Sequence, residues 1–233
     1  MTLTNRTLVI MAKALRVGSV KTRLAVDLSP LQATELYACL LNDTIALART
    51  LDQVEVAIMC PEPDVEELSQ SVMEAVPVVP QTGMGLARGL TSVFAHFANS
   101  GRRRVIAFNS DSPHLPASVL ENAFELLESR DLVVGPTHDG GYYLVGAKAS
   151  HPALFEDDGM GTASAFDALL ARAGRLELQA GFTEPFYDID VASDLTRLAQ
   201  ELESAPSRAP RTASWLKERT RGAKQLRTGA GSL

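Results

Sequence analysis

The chain has little material for cross-linking: two cysteines, Cys39 and Cys60, in 233 residues. A single disulfide between them has no support in the sequence, and two free buried thiols in a reducing cytosol are expected. The four histidines and two cysteines show no paired spacing, which leaves no zinc motif. No apolar run approaches the ~18 residues of a membrane span, and no charged segment precedes a long apolar stretch. A cytoplasmic protein is the resulting expectation. No Gly-x-Ser-x-Gly elbow supports a serine hydrolase. A chain of this length buries enough core to need neither a disulfide nor a structural metal.

Charge is unevenly spread. Of 22 basic residues seven lie beyond Ser204, but of 28 acidic residues only Glu218 does. Residues 1–204 thus carry about −12 and residues 205–233 about +6. A body this acidic argues against general nucleic-acid binding. The basic end is diluted by Pro, Gly, Ser and Thr and is expected to be a flexible tail on a 1–204 domain.

Within 1–204, strand-like and helix-like segments alternate. Thr7–Met11, Val54–Met59, Val76–Val79, Val105–Phe108, Leu132–Val134 and Tyr142–Ala147 read as strands. Ser29-Pro30-Leu31-Gln32 announces a helix to about Leu51: Ser as N-cap, Pro at the first position, Gln three residues after the cap. Further helices are predicted over Pro63–Val72, Leu86–Ala98, Pro116–Leu127, Thr162–Ala173 and Ala192–Leu202. This is the pattern of a single-domain, Rossmann-like α/β/α sandwich with a mostly parallel sheet. Ligands of such sheets bind outside the carboxyl ends of the strands.

The polar motifs fall at those ends. After the first strand come Lys13, Arg16, Gly18, Lys21, Thr22 and Arg23. Gly18 permits a bend, and the cations suit phosphate oxygens. It is not a P-loop, because Val20 replaces the glycine before the lysine. After the fourth strand come Asp111 and Ser112. Asp111 can hold Mg2+ or Mn2+ across phosphates, or merely cap its turn. His138-Asp139-Gly140-Gly141-Tyr142 is either a plain hairpin or a surface against which substrate lies, with Asp139 in a hydroxyl or base role. Alternation places at most one of Tyr142 and Tyr143 at a pocket. Asp188 and Asp190 share one face and could join Asp111 at a divalent metal, although Ser193 and the acids could also serve as helix caps. Gln81, Gly83 and Arg88 belong to a Gly-rich loop before a helix, where an anion could meet free N–H groups. Of the histidines, His114 and His138 lie beside these motifs.

Taken together the residues resemble a bacterial glycosyltransferase-like family of unknown function, the rSAM/selenodomain-associated transferase type (DUF 2064), with the GT-A nucleotide-diphospho-sugar transferase fold. Met11–Leu24 is similar to its opening pattern Met-Ala-Lys-x-Pro-x-x-Gly-x-Val-Lys-Thr-Arg-Leu. Gln81, Gly83 and Arg88 match its Gly-rich segment, Asp111–Pro116 its Asp-Ser-Pro-x-Leu-Pro, Asp131–Leu144 its Asp-Gly-Gly-Tyr-Tyr segment, and Asp188 and Asp190 its late acidic pair. Val17 replaces a frequent proline, Met84-Gly85-Leu86 replaces Asp-Leu-Gly, and Met160 replaces an aromatic residue. These departures imply an altered acceptor or reduced activity. The resemblance implies a metal-dependent nucleotide-sugar glycosyltransferase acting on a small molecule. Lys13, Lys21 and Arg23 would hold the diphosphate; Asp111 with Asp188 or Asp190 would hold the metal. The opening loop is also similar to nucleotidyltransferases that join an NTP to a phosphorylated or phosphonylated small molecule. A third reading is a non-catalytic nucleotide-binding protein.

Overall fold

The computed structural model describes residues 5–98, 100–101, 103–156 and 164–229, with side chains as far as Arg221 in the last helix. Seven strands form one sheet: β1 (Arg6–Met11), β2 (Val54–Pro61), β3 (Val78–Gln81), β4 (Arg104–Asn109), β5 (Leu132–Pro136), β6 (Tyr142–Ala147) and β7 (Ala180–Phe182). Their order is β3-β2-β1-β4-β6-β5-β7. All pairings are parallel except those of β6 with β4 and β5. The connection from β5 to β6 is too short for a crossover, so β6 must turn back. The strand β7 was not foreseen. Its three residues are too few to show a period.

Helices α1 (Pro30–Ala48), α2 (Val65–Ser71), α3 (Leu86–Phe97), α4 (Ala117–Ser129), α5 (Ala165–Arg175) and α6 (Ala192–Ser204) fall close to the predicted spans. The expected start of α5 at Thr162 lies outside the described residues. The capping box of α1 is present: Ser29 Oγ accepts from Gln32 N, and Gln32 Oε1 accepts from Ser29 N. Alternating strand residues feed two cores. Leu8 and Ile10 of β1 pack with Leu41, Ile45, Leu120 and Phe124 on one face. Val9 packs with Leu90, Val93 and Phe94 on the other. A third cluster joins Leu24, Leu36 and Leu40 to Tyr187, Ile189 and Leu198, beyond the carboxyl edge of the sheet.

Residues 205–229 do not match the expected flexible tail. After a short turn, α7 (Pro210–Gly229) packs on α1, with Ala209 and Leu216 in the third cluster. Asp43 of α1, fully buried, accepts from Thr212 N and Thr212 Oγ1 at 2.8 Å each, and from Arg211 N and NH1. It caps the helix that the composition disguised.

Candidate active site

Strand order reverses at β1 and β4, whose ends are in register, Met11 opposite Asn109. The two loops that leave there open a switch-point crevice. A cavity of about 710 Å3 occupies it.

The loop after β1 is braced by a residue that gave no signal in the sequence. Asp64 accepts from Ala14 N at 3.0 Å and from Arg16 NH1 at 2.6 Å. Arg16 also pairs with Glu67. Its charge is thereby turned away from the crevice and spent on fixing the loop. Gly18 supplies the bend at φ 81°, a left-handed conformation that favours glycine. Lys21 follows in the left-handed region at φ 50°, a conformation that costs a non-glycine residue on the order of 1 kcal/mol. Thr22–Val26 makes a 3-10 turn, pinned by the fully buried Leu24.

That backbone aims Lys21 at the carboxylates. Its Nζ lies 2.8 Å from Asp111 Oδ2 and 3.1 Å from Asp190 Oδ1, with its side chain only 5% exposed. Arg23, largely exposed, reaches Asp190 Oδ2 at 3.4 Å. Oxygens of Asp111, Asp188 and Asp190 all lie within 4.8 Å of one another. Three clustered carboxylates are a hard-oxygen donor set of the kind Mg2+ and Mn2+ prefer. Burial works against the charge on Lys21, but Asp111 and Asp190 outweigh it and its pKa is raised. Asp188 does not pair with Lys21. Burial, and then the neighbouring charges of Asp190 and Asp111, push its carboxyl up to about 6. The turn after the acids is closed by Asp194, not Ser193: Asp194 Oδ2 accepts from Asp190 N and Val191 N.

Of the other predicted residues, Lys13, Thr22, Gln81 and Tyr142 border the cavity, whereas Gly18, Gly83, Arg88, Ser112, His138, Asp139, Gly140 and Gly141 do not. Gln81 Nε2 donates to the carbonyls of Gly83 and Gly85, shaping the loop before α3. Arg88 packs its stem over Gly83. Ser112 is buried, and its Oγ donates to Tyr187 O, tying the Asp111 turn to the segment that carries Asp188. Asp139 accepts from Thr137 Oγ1 and Gly141 N, which hold its carboxyl below the usual carboxylate range. It closes the β5–β6 hairpin, at whose tip His138 is exposed. Tyr142 and Tyr143 both border the cavity, where one was expected. Their rings nonetheless lie in opposite cores. Both cysteines are free. Met160 lies outside the described residues.

His114 is not at the crevice. It is fully buried against Phe186 and Tyr187, and neither ring nitrogen has a partner among the described residues. Burial, then the charges of Arg197 and Arg208, lower its pKa to about 3. Two opposed pH effects follow. The folded state holds a proton on Asp188 that the unfolded state releases, so this group's contribution fades as pH rises from about 4 to about 6. The unfolded state binds a proton on His114 that the folded state refuses, so that contribution fades as pH falls below about 6.5. The two slopes oppose each other in the wild type. In Asp188→Asn only the histidine slope remains, and stability should fall by about 1 kcal/mol per pH unit between 6 and 4. Denaturant titrations across that range check it; a flat profile in the variant would refute it.

A family model described as "Uncharacterized protein conserved in bacteria (DUF2064)" matches residues 44–162, just over half of the chain. A phosphoenolpyruvate guanylyltransferase of Sphaerobacter thermophilus is 27% identical over 187 residues, 79% of this chain and 88% of the relative. Among solved structures, a Desulfovibrio desulfuricans G20 protein assigned as a nucleotide-diphospho-sugar transferase superposes with a TM-score of 0.86 at 24% identity, covering 95% of this chain and 98% of that one. A Mycobacterium tuberculosis H37Rv protein solved in complex with manganese superposes at 0.51, 16% identical, covering 85% and 100%. At these identities the structures establish a shared fold. The family model covers more than half of the chain, and the chain belongs to the bacterial DUF2064 family.

Proposed function

We propose that the chain is a nucleotide-dependent transferase whose reaction is nucleotidyl transfer from an NTP to a phosphorylated small acid. The observation that carries this reading is the convergence of Lys21 and Arg23 on Asp111 and Asp190 at the switch-point crevice. Lys13 adds a third cation to the same cavity. An acceptor oxygen would attack the α-phosphorus, the α–β bridging bond would break, and the electron pair would leave on pyrophosphate. Three cations on one loop suit that leaving group, whose charge grows as the bond breaks. Asp111, Asp188 and Asp190 would hold Mg2+ or Mn2+, which when bound supplies further neutralisation of phosphate charge. The manganese complex of a protein with the same fold supports this assignment. The guanylyltransferase relative supports nucleotidyl over glycosyl transfer, the reading implied first by the family resemblance.

The test begins with thermal unfolding against NTPs and nucleotide sugars, each with and without Mn2+. Saturation at about 100 times the dissociation constant adds about 2.7 kcal/mol. NTPs that stabilise are then assayed for pyrophosphate release with phosphoenolpyruvate and other phosphorylated acids. One NTP should stabilise and turn over, and Asp111→Asn should lower turnover by roughly 10^2–10^3-fold. Stabilisation by a nucleotide sugar, with no NTP effective, would return the assignment to glycosyl transfer. Wild-type turnover in Asp111→Asn would remove the metal assignment. Silence across the panel would favour a non-catalytic pocket.

A further inference from the structure

Tyr37, on the first turns of α1, is 4% exposed, and it borders the cavity. Its hydroxyl lies 3.1 Å from Lys13 N and 3.1 Å from Ser110 Oγ. Ser110 Oγ in turn lies 3.2 Å from Asp111 Oδ1. The direction of this chain follows from counting protons. A peptide N–H only donates and an ionised carboxylate only accepts. Ser110 has one hydroxyl proton, and the carboxylate takes it. Tyr37 must then donate to Ser110, and its lone pair accepts from Lys13. The relay therefore runs one way: Lys13 N–H to Tyr37, Tyr37 to Ser110, Ser110 to Asp111.

The relay meets the site at two points. At one end it holds the peptide of Lys13, where the cation-bearing loop leaves β1. At the other it holds Oδ1 of Asp111, while Lys21 holds Oδ2. With both oxygens engaged, rotation about the Asp111 Cβ–Cγ bond is arrested and the carboxylate plane is set. A second hydroxyl of α1 lies at the same turn: the single proton of Thr44 Oγ1 is shared between the carbonyls of Leu40 at 2.8 Å and Ser110 at 3.3 Å. A buried tyrosine with a purely packing role needs only one partner for its hydroxyl. Tyr37 instead spends both its donor and its acceptor on the two loops of the crevice.

We infer that Tyr37 is a positioning residue, whose hydroxyl relay locks the Lys13 loop and the Asp111 carboxylate into one geometry. The assignment rests on the reading of Asp111 as a carboxylate of the site. It adds to that reading a mechanical link between the loop that would hold phosphates and the acid that would hold metal.

The experiment follows the Lys13 amide resonance in the 15N-labelled full chain. Asp111→Asn is introduced into the wild type, into Tyr37→Phe and into Ser110→Ala. The last breaks the relay from its other side and serves if Tyr37→Phe folds poorly. In the wild type, Asp111→Asn should move the Lys13 resonance. In either relay-broken background that movement should shrink at least roughly five-fold, the mark of coupled rather than independent sites. Lys21 also connects Asp111 to the loop, but neither background touches Lys21, so the comparison isolates the relay. An undiminished movement in both backgrounds overturns the proposal. Titration with Mn2+ alone, read as paramagnetic broadening in the same spectra, tests the aiming of the carboxylate. Tyr37→Phe should need roughly ten-fold more Mn2+ for half-broadening around Asp111, since misaligned supporting shells commonly cost 10–100-fold in metal affinity. Equal titrations would refute the aiming of Asp111. Absence of broadening in the wild type would strike the metal assignment of the preceding section, while the Lys13 shifts would still decide for or against Tyr37.

Discussion

Lys21→Met should lower turnover by roughly 10^2–10^3-fold and, at the same time, make the protein's stability respond to divalent metal. Lys21 is the buried counter-ion of the crevice, bonded to two of its three clustered carboxylates. Methionine fills much of the same volume but carries no charge. Asp111 and Asp190 then face each other and Asp188 with no buried cation between them, only the largely exposed Arg23 at the outer side of Asp190. Breaking a fully buried pair costs about 3–5 kcal/mol. Asp190 is 41% exposed, so water screens part of this, and a loss of about 1–3 kcal/mol is expected. Because Lys21 also restrains the upward shift of Asp188, that acid should hold its proton to higher pH in the variant. A divalent ion restores the missing positive charge. Added Mn2+ should therefore raise the unfolding temperature of Lys21→Met more than that of the wild type. Equal responses would mean that the three acids do not act together on a metal. Lys21→Arg should not restore activity, since a planar guanidinium cannot occupy the point between Asp111 and Asp190 that an ammonium fills.

Ending the chain at Ser204 should lower the unfolding temperature by roughly 6–12 °C, an effect that a free tail could not produce. Asp43 is fully buried and accepts four hydrogen bonds, all from Arg211 and Thr212. Without α7 these donors vanish together, and the apolar contacts of Ala209 and Leu216 go with them. A buried carboxylate stripped of its partners costs about 3 kcal/mol or more. For a domain of this size each kcal/mol moves the midpoint by about 2–4 °C. Asp43→Asn in the full chain keeps the volume but removes the charge and one acceptor oxygen, so it should fall between wild type and truncation. An unchanged midpoint on truncation would show that α7 contributes nothing to the fold.

What could be read from residues alone was whatever depends on near neighbours. The β1 segment Leu8–Ile10 is continuously apolar because it is covered on both faces. Ser29, Pro30 and Gln32 start α1 through bonds three residues long. The strand–helix alternation then implied a parallel sheet, and the sheet placed Lys21, Asp111, Asp188 and Asp190 at one edge. Long-range partners could not be read this way. Arg16 and Lys21 lie in one loop and look alike, yet Arg16 is held by Asp64, 48 residues away, and Lys21 by Asp190, 169 away. Nothing local distinguishes a structural cation from one aimed into the crevice. Tyr37 and Ser110 were overlooked because their importance lies in a bond between them, 73 residues apart in the chain. The Asp139 turn looked equally suited to chemistry and to a hairpin, and Thr137 and Gly141 claim its carboxylate. Helix α7 escaped notice because a buried acid on another helix stabilises it, which leaves no period in its own residues. The sequence by itself determined the alternating elements and the set of charges at the strand ends. Only the tertiary structure decided which charges meet, because pairing energy depends on distances that the chain fixes only once its cores have packed.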